Sequence, residues 1–379
     1  MNHDYLKHSY ESRLKRKMAH LKWQALHIDP PLLVLLLLLA LVGLFVLFSA
    51  SNQNASMLEK QTIRFVVAFI VMLIFAHIPP KRYYQWAPWI FAIGLFLLFA
   101  VLFVGKVDKG VRRWIDLGLF NFQPSEIMKL AVPMALARYL SHKELPPKAM
   151  TLLISCVLLA LPVILTAKEP DLGTAVIIAA SGFCVLLLAG LSWRLIIGLI
   201  AVGALSLPVL WHYMHSYQKE RVLTFLNPER DPLGSGYHII QSKIAIGSGG
   251  LFGKGWLHGT QSHLHFLPAH ATDFIFAVNC EELGFIGSAL LVGLFLMVFA
   301  RCLYISSQAQ DTFTRLLAGS LSLTFIISAF VNIGMVIGIL PVVGVPLPLI
   351  SYGGSSMIII MTGFGIIMSI QTHRKLWSS

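Results

Sequence analysis

Ten apolar runs, at 32–50, 62–78, 87–105, 125–141, 150–166, 173–190, 193–212, 274–300, 315–340 and 350–371, alternate with short polar connections. Each approaches the roughly 20 residues that a helix needs to cross a bilayer core. A backbone exposed to lipid must satisfy its own hydrogen bonds, so all ten are expected to be helices. One connection breaks the rhythm: about sixty residues, from Tyr213 to Thr272, are soluble-like, and an extramembrane stretch of that length usually carries function or forms a lid. The expected fold is an all-α integral membrane protein of about ten transmembrane helices, with a large extracytoplasmic loop between helices 7 and 8. A polar, basic leader, 1–28, precedes a polytopic membrane domain, 29–379, that includes the 213–272 loop. Ser49-Ala50-Ser51 resembles a signal-peptide cleavage site, but the leader and the run before it are too long and further spans follow. The first run is therefore expected to remain as a membrane helix.

Composition narrows the class. Apolar residues make up 56% of the chain and charged ones 12%, with mean hydropathy +0.75. These values exclude an ordinary soluble enzyme, a disordered chain and a disulfide-stapled module. Lys and Arg outnumber Asp and Glu by 29 to 17, a net +12. The basic residues sit between apolar runs instead of forming one face or arm, which points to topology and not to nucleic acid. Placing both termini in the cytoplasm gives the inner side an excess of Lys and Arg, carried mostly by Lys7, Arg13, Lys15, Arg16, Lys17 and Lys22. The outer side then mixes acids with bases, which a protein needing only insertion would not require. Cys156, Cys184, Cys280 and Cys302 are expected as free thiols.

Five constellations could carry chemistry. Gln123-Pro124-Ser125-Glu126-Ile127-Met128-Lys129 opens the fourth run; Ser125 is expected as its N-cap, with Glu126 and Lys129 three apart on one helix face. Ionisable groups at that depth must pair or face a wet cavity. Between the fifth and sixth runs, Lys168-Glu169-Pro170-Asp171 crowds three ionisable groups into four residues, with Asp171 placed to cap the next helix. Arg64 either joins that polar pocket or snorkels to the interface. The glycine-rich Gly247–Gly255 segment lacks the nucleotide-binding pattern, leaving pyrophosphate contact or a tight fold-back. His258, His263, His265 and His270 lack the tight spacing of a zinc site, and no metal is assigned. Asp273 either caps the eighth run or, partly desolvated at a cavity mouth, serves as a general base. Finally, Val345-Pro346-Leu347-Pro348 and Ser351-Tyr352-Gly353-Gly354 break the backbone before the last run and permit close packing.

In combination, Gln123-Pro124-Ser125-Glu126, Glu169-Pro170-Asp171-Leu172-Gly173-Thr174, Thr272-Asp273-Phe274 and Ser351-Tyr352-Gly353-Gly354 resemble the SEDS family of bacterial cell-wall polymerases, over nearly the whole chain. The run Asp231–Ser242 looks more like the elongation branch of that family than the division branch. The resemblance implies a peptidoglycan glycosyltransferase that joins lipid II units at the outer face of the plasma (inner) membrane. It also implies a class B penicillin-binding transpeptidase as partner, alongside other elongation-complex membrane proteins, the nascent glycan and membrane lipid. The catalytic carboxylate of the family maps onto Asp273, and its substrate-cavity residues map onto Arg64, Glu126, Lys129, Lys168 and Asp171. One departure is local: the family's Glu-Arg-His step is replaced here by Ala269-His270-Ala271, which displaces the histidine by one position. A divalent cation could share charge neutralisation with the acids, but no residue pattern demands one. Two rival readings are a lipid-precursor transporter, which would place substrate between repeated halves near the midplane, and a non-catalytic scaffold for the transpeptidase. No such halves are evident, and a scaffold leaves the outer acids and bases without a use.

Overall fold

The computed structural model describes residues 27–108, 111–116, 121–214, 216–230, 235–263 and 269–374. The basic residues of the leader that the sequence reading weighs, together with Asp231 and His265, lie outside them. The described chain is mostly helical. α1 (Pro30–Ala50), α2 (Ala55–His77) and α3 (Pro80–Val104) come first. A small antiparallel sheet, β1 (Lys106–Asp108), β2 (Val111–Asp116) and β3 (Asn121–Phe122), leads into α4 (Pro124–Ser141). Then follow α5 (Ala149–Lys168), α6 (Leu172–Leu188), α7 (Trp193–Tyr213), α8 (Ser216–Leu226), α9 (Ser235–Gly249), α10 (Thr260–His263), α11 (Ile275–Ser307), α12 (Thr312–Ile337) and α13 (Ser355–Thr372).

Six of these, α1, α3, α5, α11, α12 and α13, are long and apolar enough to cross a membrane. Their outward faces carry Leu41, Phe96, Leu153 and Leu290, each more than half exposed, as side chains meant for acyl chains would be. α12 is the axis of the bundle and packs on α4, α6, α11 and α13. Its start is fixed by a capping box between Asp311 and Thr314, and its end by Gly338 in the left-handed conformation. Small and hydroxyl residues, among them Gly319, Ser320, Ser328 and Asn332, let neighbouring backbones approach. α1 begins at Asp29, which accepts the Leu32 amide at 3.3 Å and also binds Arg301 of α11 through two hydrogen bonds of 2.9 and 2.6 Å.

Three departures from the sequence reading stand out. The expectation of an all-α chain omits the sheet, whose strands are too short to imprint a period-two pattern; Ile115 pairs with Phe122 and Asp116 with Asn121. The 213–272 segment, assigned no secondary structure from sequence, contains α8, α9 and α10, and α9 packs along α11. The last helix begins at Ser355 instead of 350, because Pro346, Pro348 and the turns that follow keep the preceding chain irregular.

The glycine-rich segment explains itself structurally. α11 is interrupted at Gly284, where φ is 66° and ψ −163°, a region open essentially to glycine alone. Into that break folds the 249–255 loop: Phe285 and Ile286 donate their amides to the carbonyls of Gly250 and Leu251, while the Lys254 and Gly255 amides bond to Glu281 and Glu282 carbonyls at 3.0 Å each. A Cβ on Gly249 would lie 2.0 Å from the Cys280 carbonyl oxygen. These amides are committed to a fold-back and are not presented to a phosphate. Lys254 closes the junction through a 2.7 Å ion pair with Glu281, which also accepts the amides of Thr260 and Gln261.

Candidate active site

One end of the bundle holds a polar cavity of about 340 Å³ between the β2 strand, the first turns of α4 and α6, the turn before α11 and the irregular chain before α13. Gln123, extended at φ −107°, caps α4, and Pro124 occupies its first position. Ser125, expected as the cap, therefore falls inside the first turn, fully buried with its hydroxyl unpartnered. The next turn brings Glu126 and Lys129 together as the spacing predicts, with Nζ 2.7 Å from Oε1; both side chains are buried and both line the cavity. The second Glu126 oxygen has no partner.

Asp171 caps α6 as expected, accepting the Thr174 amide at 3.2 Å, while its other oxygen takes a 2.6 Å hydrogen bond from the Gln123 amide group. Its cavity-facing charge is thereby fixed by residues of two helices. Glu169 behind it is 1% exposed and neither carboxyl oxygen finds a partner. Burial first, then the nearby Asp171 charge, pushes its pKa up to about 8 against the opposing pull of Arg113.

Asp273 is the contrasting carboxylate. The cap of α11 is Phe274, and no side chain satisfies that helix start, so Asp273 is not used as a cap. Its backbone carbonyl is clamped at 2.8 Å by Asn332 Nδ2, which also donates to the Val345 carbonyl at 2.7 Å. The flanking turn is tied to the chain before α13: Ser351 Oγ donates to the Thr272 carbonyl at 2.6 Å and the Tyr352 amide to the Ala271 carbonyl at 2.9 Å. The carboxylate itself faces the cavity, close to Gly344. Burial holds its pKa above the usual carboxylate range.

Of the six residues singled out by sequence, Glu126, Lys129, Asp171 and Asp273 line this one cavity. Arg64 stands behind the wall, its guanidinium 4.3 Å from the centre of the Tyr352 ring, which does line it. Lys168 is exposed at the end of α5 and does not line the cavity. Two contributors escape the sequence reading. Arg113, on β2, lines the cavity and donates to the carbonyls of Glu169 and Pro170. Asn332 sits in an apolar run with no local pattern to mark it.

Fold and site together define a polytopic membrane protein with a desolvated carboxylate opposite a buried acid–base pair. The family description "Cell cycle protein", covering FtsW, RodA and SpoVE, matches residues 30–376, and the chain belongs to that family. It is 52% identical to the peptidoglycan glycosyltransferase MrdB of Escherichia coli K12, over 94% of this chain and 96% of that one. It is 32% identical to the peptidoglycan glycosyltransferase RodA of Treponema pallidum, over 90% and 97%. Among solved structures, it matches a chain of a peptidoglycan synthase complex described as coordinating polymerization and crosslinking, with TM-score 0.81 and 33% identity over 92% and 98% of the two chains. RodA of Thermus thermophilus matches with TM-score 0.70 and 27% identity over 92% and 98%.

Proposed function

We propose that this chain is a peptidoglycan glycosyltransferase that polymerises lipid II at the outer face of the bacterial inner membrane, with Asp273 as its general base. The observation that carries the assignment is the free, half-buried Asp273 carboxylate facing the same cavity as the Glu126–Lys129 pair. In the reaction, the acceptor sugar's 4-hydroxyl gives its proton to Asp273 and bonds to the anomeric carbon of the donor. The bond from that carbon to the lipid pyrophosphate breaks, and its electron pair leaves on the phosphate oxygen. An α-linked donor then yields a β-1,4 product by inversion. Because negative charge grows on the leaving group, cations held at fixed positions stabilise the transition state more than the ground state. Lys129 and Arg113 in the cavity, with Arg64 behind Tyr352, are assigned that role. Glu126 holds Lys129, Asp171 shapes the substrate site, and the exposed Lys168 attracts the anionic substrate from outside.

In this reading all ten long helices cross the membrane, residues 29–379 act as one unit, both termini lie in the cytoplasm, and the 213–272 segment lies outside. A class B penicillin-binding transpeptidase is the proposed partner, in keeping with the description of the similar synthase complex. The deciding experiment is polymerisation of purified lipid II by the pure protein. Asp273→Asn is expected to lose about a hundredfold or more in turnover, and near-normal turnover would remove Asp273 from the mechanism.

A further inference from the structure

A second cavity lies away from the candidate active site. About 760 Å³ opens at the opposite end of the bundle, between the α2–α3 junction, the end of α4, the start of α12 and the end of α13. We infer that this cavity binds the headgroup of an anionic phospholipid of the inner leaflet. The volume falls within the range of small-ligand sites. Its apolar lining includes Pro79, Pro80 and the Phe313 ring, which meets Tyr84 edge-on at 5.3 Å. Its polar side carries Lys81, His142 and His373.

The charges favour an anion. Lys81 makes no hydrogen bond or ion pair among the described residues. The single lining acid, Asp311, turns its carboxylate to the helix backbone as the cap of α12, and the amide end of that helix adds positive potential. Arg138 stands beside the cavity over the Tyr84 ring, at 4.8 Å, held by the carbonyls of Tyr84 and Gln85. Glu144, in the connection after α4, is paired with Lys148 at 2.8 Å. A pocket at the helix ends that combines apolar side chains with an unpaired lysine and a neighbouring arginine suits a phosphoglycerol headgroup whose chains remain in the bilayer. Placing it in the inner leaflet rests on the orientation proposed above, whereas binding itself depends neither on orientation nor on the glycosyltransferase assignment.

The test uses the purified full chain in neutral detergent, titrated with dioctanoyl phosphatidylglycerol, dioctanoyl phosphatidylcholine or glycerol 3-phosphate while the melting temperature is followed. Phosphatidylglycerol is expected to raise it saturably, and the double variant Lys81→Ala, His142→Ala to weaken the apparent Kd about tenfold, close to 1.4 kcal/mol. Arg194→Ala, a distant exposed cation, is expected to leave it unchanged. Equal stabilisation by phosphatidylcholine, or an unaltered Kd in the double variant, overturns the inference. So does glycerol 3-phosphate acting as well as the lipid, because that assigns the cavity to a soluble anion. Should the double variant not purify, Lys81→Ala must weaken binding and Lys81→Arg restore it.

Discussion

Two carboxylates within the same end of the bundle are kept apart chemically by their surroundings. Asp171 is held by Gln123 and the Thr174 amide, whereas Asp273 is gripped only through its backbone and keeps its side chain for the cavity. The elevated Asp273 pKa means that the base loses its reactive form as pH falls through that value. The acid limb of kcat/KM is therefore expected above the ~4 of a free aspartate, and a limb at or below 4 would contradict desolvation of this group. Asn332→Ala should lower kcat more than it raises KM, because it loosens the base without touching substrate. Equal loss of thermal stability and unchanged kinetics would reduce Asn332 to a packing residue. Glu169 offers a stability test with a fixed sign. Its folded pKa of about 8 exceeds the ordinary 4.5, so the folded state binds the extra proton and stability declines as pH rises between those values, by up to about 1.4 kcal/mol per unit. Glu169→Gln should flatten that decline, gaining melting temperature over the wild type at pH 8 more than at pH 5.

At the scale of elements, apolar patterning finds the six helices long and apolar enough to cross a membrane, because a lipid-facing span must be apolar along its length. The ends were legible where a cap residue is unambiguous, as at Asp171, and misplaced where proline shifts the start, as at Ser125 and at 350. The cavity was partly legible for the same reason: Glu126, Lys129, Asp171 and Asp273 are costly in an apolar setting and so advertise themselves. Asn332 and the β2 arginine were not, since their roles arise from contacts between segments far apart in the chain. Neither was the broken helix, where Gly284 looks like any small residue of a span. Adding a Cβ there would place it 2.3 Å from the Gly253 amide nitrogen in a backbone region that side chains avoid. Gly284→Ala is thus expected to cost about 3 kcal/mol or more, read as a lower melting temperature and faster proteolysis within 249–255. A variant as stable as the parent would mean the break is not constrained.

For the molecule as a whole, the proposed orientation, with the candidate active site facing outward, makes a labelling prediction. With the four native cysteines replaced, a cysteine at Lys148 should react with impermeant maleimide only after the inner face is opened. A cysteine at Lys168 should react in intact spheroplasts. The reverse pattern would invert the catalytic cavity relative to its substrate.

The loop seated in the α11 break also constrains biosynthesis. Residues 249–255 leave the ribosome before Phe285 and Ile286, the donors that later occupy the Gly250 and Leu251 carbonyls. Until those donors are made, the carbonyls can be satisfied only by water, so the loop must wait outside the lipid and dock after the following helix has been threaded.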